Sequence, residues 1–432
     1  MEILSSPWWA VGFLVTTAFI ARRTQGSWLA PSAFCALLWA LYFSLPLILM
    51  ADRISAQTMW IVAALISCVQ IGALLTEDPA GWRHSARPDQ KVPVGSYSPR
   101  ALAVVLISSA VAFIGAFYYA IQAVRQFAQS FSLEGFFSVG AVLYSVIVAG
   151  QADPWWFRLT RMWLFPALFV GGTMAALPST RLTKILSFSG FVPALIVGTT
   201  LASRYGTTMG IGCWISGYLA AQAWITKGAF RLSKKAIITA SVVFAMSVGL
   251  YAGIGILRGH HYGDVDNYSI QLKGNLFGYL AVLDYFIANE PSHARSWGQY
   301  SVAGVADFMG MTNRVAALNY EPIVIANGVD TNIYTAFRGL IQDFSLPGAL
   351  FLSLLGGAAA GRAYTRACAG RMRATVVLAA FYSFILWSPI VSVFNYNSVL
   401  LGLIVSWIVI VSCEARLKER PGMRGQLRIA TL

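Results

Sequence analysis

Long apolar runs recur along this chain and decide what it can fold into. Each is about 20 residues long, the length at which a helix crosses the hydrocarbon core of a bilayer. The composition agrees, because 57% of the 432 residues are apolar and 11% are charged. We predict an all-α polytopic membrane protein with about 11 transmembrane helices, at 3–21, 28–50, 57–75, 101–124, 163–178, 185–202, 207–226, 236–257, 339–361, 374–393 and 398–413.

The distribution of basic residues sets the predicted orientation. The first run carries Glu2 and ends at Arg22 and Arg23 without a small-residue cleavage site, so it is expected to remain as a span. With the N-terminus outside, 21 of the 31 Lys and Arg residues fall on the cytoplasmic side. Counting 131–150 as a span would remove this asymmetry, and we therefore predict that it is an interfacial segment.

The same asymmetry accounts for the net charge of +14 without a nucleic-acid partner. Five cysteines lie in or beside apolar runs, and none forms a Cys-x-x-Cys pair. The spacing therefore indicates neither a zinc site nor a disulfide framework. We expect no cofactor and no resident metal.

One large polar segment, 258–338, separates the spans of 1–257 from the last spans and the basic tail of 339–432. Eight of the 17 acidic residues and three of the four histidines lie in it or just beyond it, on the predicted outer side. Within NLFGYLAVLDYFIANE, the residues Leu276, Tyr279, Leu283 and Phe286 repeat at helical spacing. The segment is predicted to be a periplasmic loop that contains short helices.

A polar stripe marks the point where the chain returns to the membrane, at TNIYTAFRGLIQDF (331–344). Helical spacing places Thr331, Thr335, Arg338, Gln342 and Ser345 on one face. Polar groups facing lipid are costly, so the stripe should face the bundle interior or a watery cavity. Two readings of Arg338 remain: its side chain snorkels to the headgroups, or it points into a cavity and binds an anion.

Two further arginines are predicted at the same membrane surface. Arg204 stands in SRYGTT, at a turn between two spans, and Arg258 closes the eighth span. Each could be an interfacial anchor. Together with Arg338 they could instead bind a phosphate, for which the forked guanidinium is suited.

Several residues of the outer loop could act as a general base, and the sequence does not choose among them. The predicted catalytic set adds His261, His293 and Asp284 to the three arginines, while Glu290, Glu321 and Asp330 compete for the same role. Metal-ligand residue types also cluster in RGHHYGDVD, where a solvated loop is the alternative. The predicted substrate-binding set is Asn332, Tyr334, Thr335, Asp343, Arg314 and Tyr205.

The run NIYTAFRGLIQDF after a large outer loop resembles the signature of the oligosaccharide repeat-unit polymerases, the O-antigen polymerases of the Wzy type. Their pattern is roughly Asn-x-Tyr-Thr-x-Phe followed by Asp-Phe-Gly. Asn332, Tyr334, Thr335, Phe337, Asp343 and Phe344 match it, and Ser345 replaces the usual glycine. The Ser203–Arg204 pair and the run LFGYLAVLDYF also resemble that family.

This resemblance implies a function. Such enzymes lie in the bacterial inner membrane, have a GT-C-like fold and work on the periplasmic face. They transfer a growing glycan from undecaprenyl pyrophosphate to a newly flipped lipid-linked repeat unit. The arginines would stabilise the departing pyrophosphate. The resemblance also implies a partner that regulates chain length.

Three other classes are weighed against the polymerase. An O-antigen ligase is expected to have a His-Asn pair where this chain has Thr331 and Asn332. A lipid-linked oligosaccharide flippase or transporter should carry charges along several spans, whereas polar residues here crowd one face. An immunity or structural membrane protein is a further alternative. The repeat unit, the stereochemistry and the oligomeric state stay open.

Overall fold

The computed structural model describes residues 6–50, 54–77, 98–127, 154–201, 204–230, 276–289, 295–309, 323–326, 329–331 and 333–419, with residues 139, 142, 143, 249, 253 and 274 between them. The helices in chain order are α1 (Trp8–Gln25), α2 (Pro31–Met50), α3 (Ala56–Thr76), α4 (Ser98–Phe127), α5 (Trp155–Met162), α6 (Leu164–Ala176), α7 (Arg181–Leu186), α8 (Phe191–Thr200), α9 (Arg204–Ile225), α10 (Tyr279–Asn289), α11 (Ala303–Phe308), α12 (Ala336–Cys368), α13 (Ala374–Trp387) and α14 (Asn397–Glu419). A 3₁₀ turn, Val393–Asn395, precedes α14.

Within these described ranges, five helical segments are long and apolar enough to cross a membrane. They are Pro31–Leu49, Ala56–Thr76, Pro99–Phe127, Arg181–Thr200 and Ala336–Cys368. Ala374–Trp387 and Asn397–Cys413 are shorter apolar helices. The architecture is thus that of a helical membrane protein, as predicted. The segments 131–150 and 236–257 lie outside the described residues, apart from a few isolated positions, and the three-part division of the chain stays a prediction.

Local sequence explains where several helices begin and end. Gly26 ends α1 with a left-handed φ of 74°, a conformation that glycine adopts without steric cost, and its N–H donates to the Arg22 carbonyl. Ser55 caps α3 by accepting a hydrogen bond from the Thr58 N–H. Thr335 caps α12 in the same way through the Arg338 N–H.

Helices α3 and α12 pack closely because glycines line their crossing. A Cβ built on Gly72 would lie 2.0 Å from the Leu354 carbonyl oxygen, and one on Gly357 would lie 2.0 Å from the Val69 carbonyl oxygen. Gly357 and Gly361 form a Gly-x-x-x-Gly pair, the arrangement that brings membrane helices together without a hydrophobic driving force. The threonine hydroxyl of Thr76 donates to the Ala358 carbonyl across the same crossing.

Helix α12 consists of two helical halves that meet at Ser345. Its φ of 63° and ψ of 170° interrupt the helix, in a region that non-glycine residues rarely occupy. Pro347 follows at once, in the first turn of the second half, where a missing N–H is tolerated. The predicted continuous helical stripe is therefore wrong at both ends, because Thr331 lies in a strand and Ser345 is not helical.

The polar segment 258–338 contains short elements packed against the bundle. The predicted helix is confirmed as α10, which buries Tyr279, Leu283 and Phe286, while Leu276 of the predicted repeat lies before its first residue. A short antiparallel hairpin follows, formed by β1 (Ile323–Ala326) and β2 (Val329–Thr331). Its register pairs Ile323 with Thr331 and shifts between Val324 and Ala326. This hairpin is a small addition to an otherwise helical architecture.

Candidate functional site at the start of α12

The start of α12 is fixed by hydrogen bonds to the end of α13. The Ala336 N–H donates to the Ser388 carbonyl at 2.7 Å. The Ser388 hydroxyl accepts from the Trp39 indole N–H of α2 at 3.0 Å. The rings of Trp39 and Phe337 pack with centroids 5.1 Å apart. Helices α2 and α13 therefore hold the first turn of α12 in one position.

Arg338 lies in that first turn and is buried. Only 6% of its surface is exposed. Its guanidinium carbon lies 3.7 Å from the centroid of the Tyr334 ring and 4.6 Å from that of Phe286. Cation–π contacts of this kind contribute about 0.5–2 kcal/mol each. A snorkelling side chain would have its guanidinium at the surface, so this burial argues against that alternative.

Helix α10 supplies the Phe286 ring and is itself anchored to two spans. The Tyr279 hydroxyl donates to the Tyr42 carbonyl of α2. Asp284 Oδ1 accepts hydrogen bonds from the N–H and hydroxyl of Ser55 and, at 2.5 Å, from the Thr58 hydroxyl. A carboxylate is favourably placed at the N-terminus of α3, where helix N–H groups point outward. Asp284 is thus engaged in holding α10, and its predicted role as a base remains a prediction.

Asp343 is fully buried and holds the loop at 296–301 against α12. Its carboxylate accepts hydrogen bonds from the Ser296 hydroxyl at 2.7 Å and the Tyr300 N–H at 3.1 Å. It also accepts from the N–H and hydroxyl of Ser301, at 2.7 and 2.6 Å. A buried carboxylate needs such donors to offset its desolvation. The predicted substrate-binding residue therefore has a visible structural role, while its contact with substrate stays a prediction.

The same loop is held from a second side by Asn395. Its Nδ2 donates to the Tyr300 carbonyl at 2.7 Å, and its Oδ1 accepts from the Ala303 N–H at 3.1 Å. Gly304 follows, and a Cβ there would lie 2.6 Å from the Phe394 carbonyl oxygen. The loop is therefore clamped between α12 and the turn before α14.

The structure brings together part of the predicted site. Arg338, Tyr334, Thr335 and Asp343 lie on or beside the first half of α12, where Thr335 is the cap and Tyr334 is 1% exposed. Arg258, His261, His293, Arg314 and Asn332 lie outside the described residues. Arg204 and Tyr205 begin α9, but their side chains are also outside what is described. Convergence of the three arginines therefore stays a prediction.

Some residues that shape this region were not predicted from sequence. Ser296, Ser301 and Asn395 were missed, although each is a polar residue next to an aromatic one, in RSWGQYS and VFNYN. Their hydrogen-bonding capacity was a usable signal, but their partners are 42 to 95 residues away along the chain. Phe286 was predicted as part of a helical repeat, but its contact with Arg338 was not foreseen.

Comparisons with protein-family models, curated proteins and solved structures give no match to this chain.

Proposed function

We propose that the protein is a membrane glycosyltransferase that polymerises undecaprenyl-pyrophosphate-linked repeat units into O-antigen or a related surface polysaccharide. The observation that carries the proposal is the buried Arg338, set over two aromatic rings in the segment that resembles the polymerase signature. Its position at the outer end of a kinked spanning helix suits a substrate whose lipid anchor lies in the bilayer.

The proposed reaction exchanges one anomeric bond for another. A hydroxyl oxygen of the incoming repeat unit attacks the anomeric carbon of the growing chain, and the bond from that carbon to the pyrophosphate oxygen breaks. Undecaprenyl pyrophosphate leaves with the electron pair, and the hydroxyl proton passes to a base on the protein. No nucleotide is required, because the pyrophosphate-linked sugar is already activated.

We assign to Arg338 the role of stabilising the pyrophosphate leaving group. Negative charge develops on the pyrophosphate as the bond breaks, and a guanidinium already held in a low-dielectric setting stabilises it without reorganising. The rings of Tyr334 and Phe286 fix its plane and keep water away. Arg204 and Arg258 remain the proposed second and third cations.

Asp343 is assigned a positioning role in this proposal. It holds the loop around Ser301 next to the helix that carries Arg338. The loop would form one wall of the space for the sugars. The base is proposed to come from the outer acidic and histidine residues.

Eleven spans, a GT-C-like fold and a periplasmic active site in the inner membrane belong to the same proposal. Reporter fusions at residues 90, 230 and 370 are expected to lie in the cytoplasm, and one at 300 in the periplasm. Reversal of any of these four would contradict the eleven-span topology.

The test of the function is the polysaccharide ladder of a strain lacking this gene. Wild-type protein should restore the ladder, and Arg338→Ala should leave core plus a single repeat unit. Arg338→Lys should also give short chains, because a point charge does not reproduce the guanidinium fork. Arg362→Ala is the matched control, since Arg362 is an exposed arginine on the same helix, and it should support a full ladder.

The outcomes separate the alternatives. A full ladder with Arg338→Ala, at equal protein level in the membrane, would overturn the assigned role of Arg338. Loss of even the single capped repeat in the deletion strain would place the protein at flipping or ligation, and the polymerase proposal would fall.

A further inference from the structure

A groove along α1 lies apart from the site at α12. Its volume is about 680 Å³. Apolar side chains of Val15, Phe19 and Ile20 line one part of it, and Arg22 and Arg23 line one end. No carboxylate is among the lining residues in the part of the chain that the structure describes.

The helical repeat gives this groove a direction. Val15, Phe19 and Arg22 follow each other at i, i+4 and i+7, and Thr16, Ile20 and Arg23 do the same one residue later. The two ridges therefore run side by side for about 10 Å, at 1.5 Å rise per residue. They lead from an apolar stretch within the helix to two positive charges at its C-terminal end.

Trp28 closes the charged end of the groove. The left-handed turn at Gly26 reverses the chain so that Trp28 folds back onto α1. Its ring meets the Phe19 ring edge-on at 5.2 Å and lies 5.7 Å from the Arg22 guanidinium carbon. Arg22 Nε is buried and makes no hydrogen bond to any described residue. Arg23 is exposed.

The outer surface of the groove is apolar and uncovered by the described chain. Phe19 and Ile20 are each 56% exposed. Around a membrane helix such side chains meet acyl chains. A tryptophan beside arginines at a helix end is typical of the level of the lipid headgroups. One end of the groove thus suits an anion and the remainder suits a hydrocarbon chain.

We propose that this groove binds one anionic glycerophospholipid. Its phosphate lies between Arg22 and Arg23, its glycerol region lies on Trp28, and one acyl chain follows Val15, Phe19 and Ile20. The positive charges of Arg22 and Arg23 favour a lipid whose headgroup is negatively charged. A second copy of this chain docked by two-fold symmetry would bring two more arginines to the same place, and like charges would oppose the contact.

The test is native mass spectrometry of the full chain in detergent, with phosphatidylglycerol and phosphatidylcholine added in equal amounts. Wild-type protein should retain one phosphatidylglycerol in preference to phosphatidylcholine. Arg22→Ala/Arg23→Ala should lower that affinity roughly tenfold to thirtyfold, as expected for two arginines near a lipid headgroup. The control Arg181→Ala/Lys184→Ala removes two charges at another helix end and should retain the lipid.

A second variant keeps the charges and blocks the groove. Thr16 is exposed and lines it, so Thr16→Trp should displace the lipid while thermal stability in detergent stays near that of the wild type. Equal retention of the two lipids by wild-type protein would overturn the proposal. So would unchanged binding in the double arginine variant, or an equal loss in the Arg181/Lys184 control.

Discussion

The two halves of α12 are held in different ways. The half from Ala336 to Phe344 is fixed by specific hydrogen bonds, such as that from the Ala336 N–H to the Ser388 carbonyl and those from Ser301 to the Asp343 carboxylate. The half beyond Ser345 packs directly on the backbone of α3, because Gly357 and Gly361 have no side chains to hold the two helices apart.

The comparison extends to one buried carboxylate near each end of the helix. Asp343 accepts hydrogen bonds from Ser296, Tyr300 and Ser301. Glu77, one residue beyond α3, is 5% exposed and its Oε2 accepts from the Ser32 hydroxyl at 3.0 Å. Its Oε1 accepts no hydrogen bond from any residue that the structure describes. Burial raises the pKa of Glu77 to about 7, and the Ser32 hydrogen bonds oppose that rise only in part.

The two halves of α12 are therefore expected to be sensitive to different changes. Specific hydrogen bonds make the first half sensitive to the loss of one acceptor. Close packing makes the second half sensitive to added volume, and burial, which two Ser32 hydrogen bonds offset only in part, makes the neighbouring Glu77 sensitive to pH.

The largest effect is expected from Asp343→Ala. Removing the acceptor leaves the Ser301 N–H and hydroxyl and the Tyr300 N–H buried, at a cost of about 4 kcal/mol in the free energy of unfolding. Denaturation in mixed detergent–SDS micelles would measure it. Gln342→Ala is the control, since Gln342 Oε1 accepts no hydrogen bond within the described chain. An equal loss in both variants would contradict the anchoring role of Asp343.

Glu77 should make stability depend on pH. Between about pH 4.3 and pH 7 the unfolded chain has released this proton while the folded protein retains it. The free energy of unfolding should therefore fall by roughly 3 kcal/mol as pH rises through this window, and level off above it. The difference between wild type and Glu77→Gln across pH isolates this contribution. Parallel curves for the two proteins would show that Glu77 does not titrate in this way.

Gly357→Ala should destabilise the second half of α12. The new methyl group would meet the backbone of Val69, which moves only with the whole of α3, and a loss of about 2 kcal/mol is expected. Gly356→Ala is a matched control one residue earlier, where no described atom lies within 4 Å of the added Cβ. That substitution should stabilise the helix slightly because alanine has the higher helix propensity. The same thermal shift in both variants would break the packing argument.

Ser345→Gly should give the smallest change, a gain of about 1 kcal/mol. Glycine adopts the observed positive φ without steric cost, although it loses more backbone entropy on folding. Ser345→Val should shift the unfolding temperature the other way, because a β-branched side chain is poorly accommodated at positive φ. A lower unfolding temperature for Ser345→Gly would mean that the two halves do not meet in a strained conformation.

Part of the site was predictable because its signals are local. The helical spacing of polar residues predicted a polar start to α12, and the helical repeat at Tyr279, Leu283 and Phe286 predicted the helix α10. The kink was not predicted by helical spacing, because that spacing continues through Ser345 in the sequence. Its local signal was Pro347, because a proline disfavours helical backbone in the residue before it. The resemblance also implied a glycine at position 345, a residue suited to positive φ.

The sequence by itself determined that this is a helical membrane protein, because apolar runs of span length leave the backbone no other way to satisfy its hydrogen bonds in lipid. It also placed Arg338 at the start of a span. Tertiary structure decided what surrounds that arginine, since Phe286 comes from a helix about 50 residues earlier in the chain. It likewise decided that Asp343 anchors a loop and that Glu77 Oε1 meets no donor among the described residues. Burial and hydrogen-bond partners depend on which distant segments meet, and no local pattern in the chain records that.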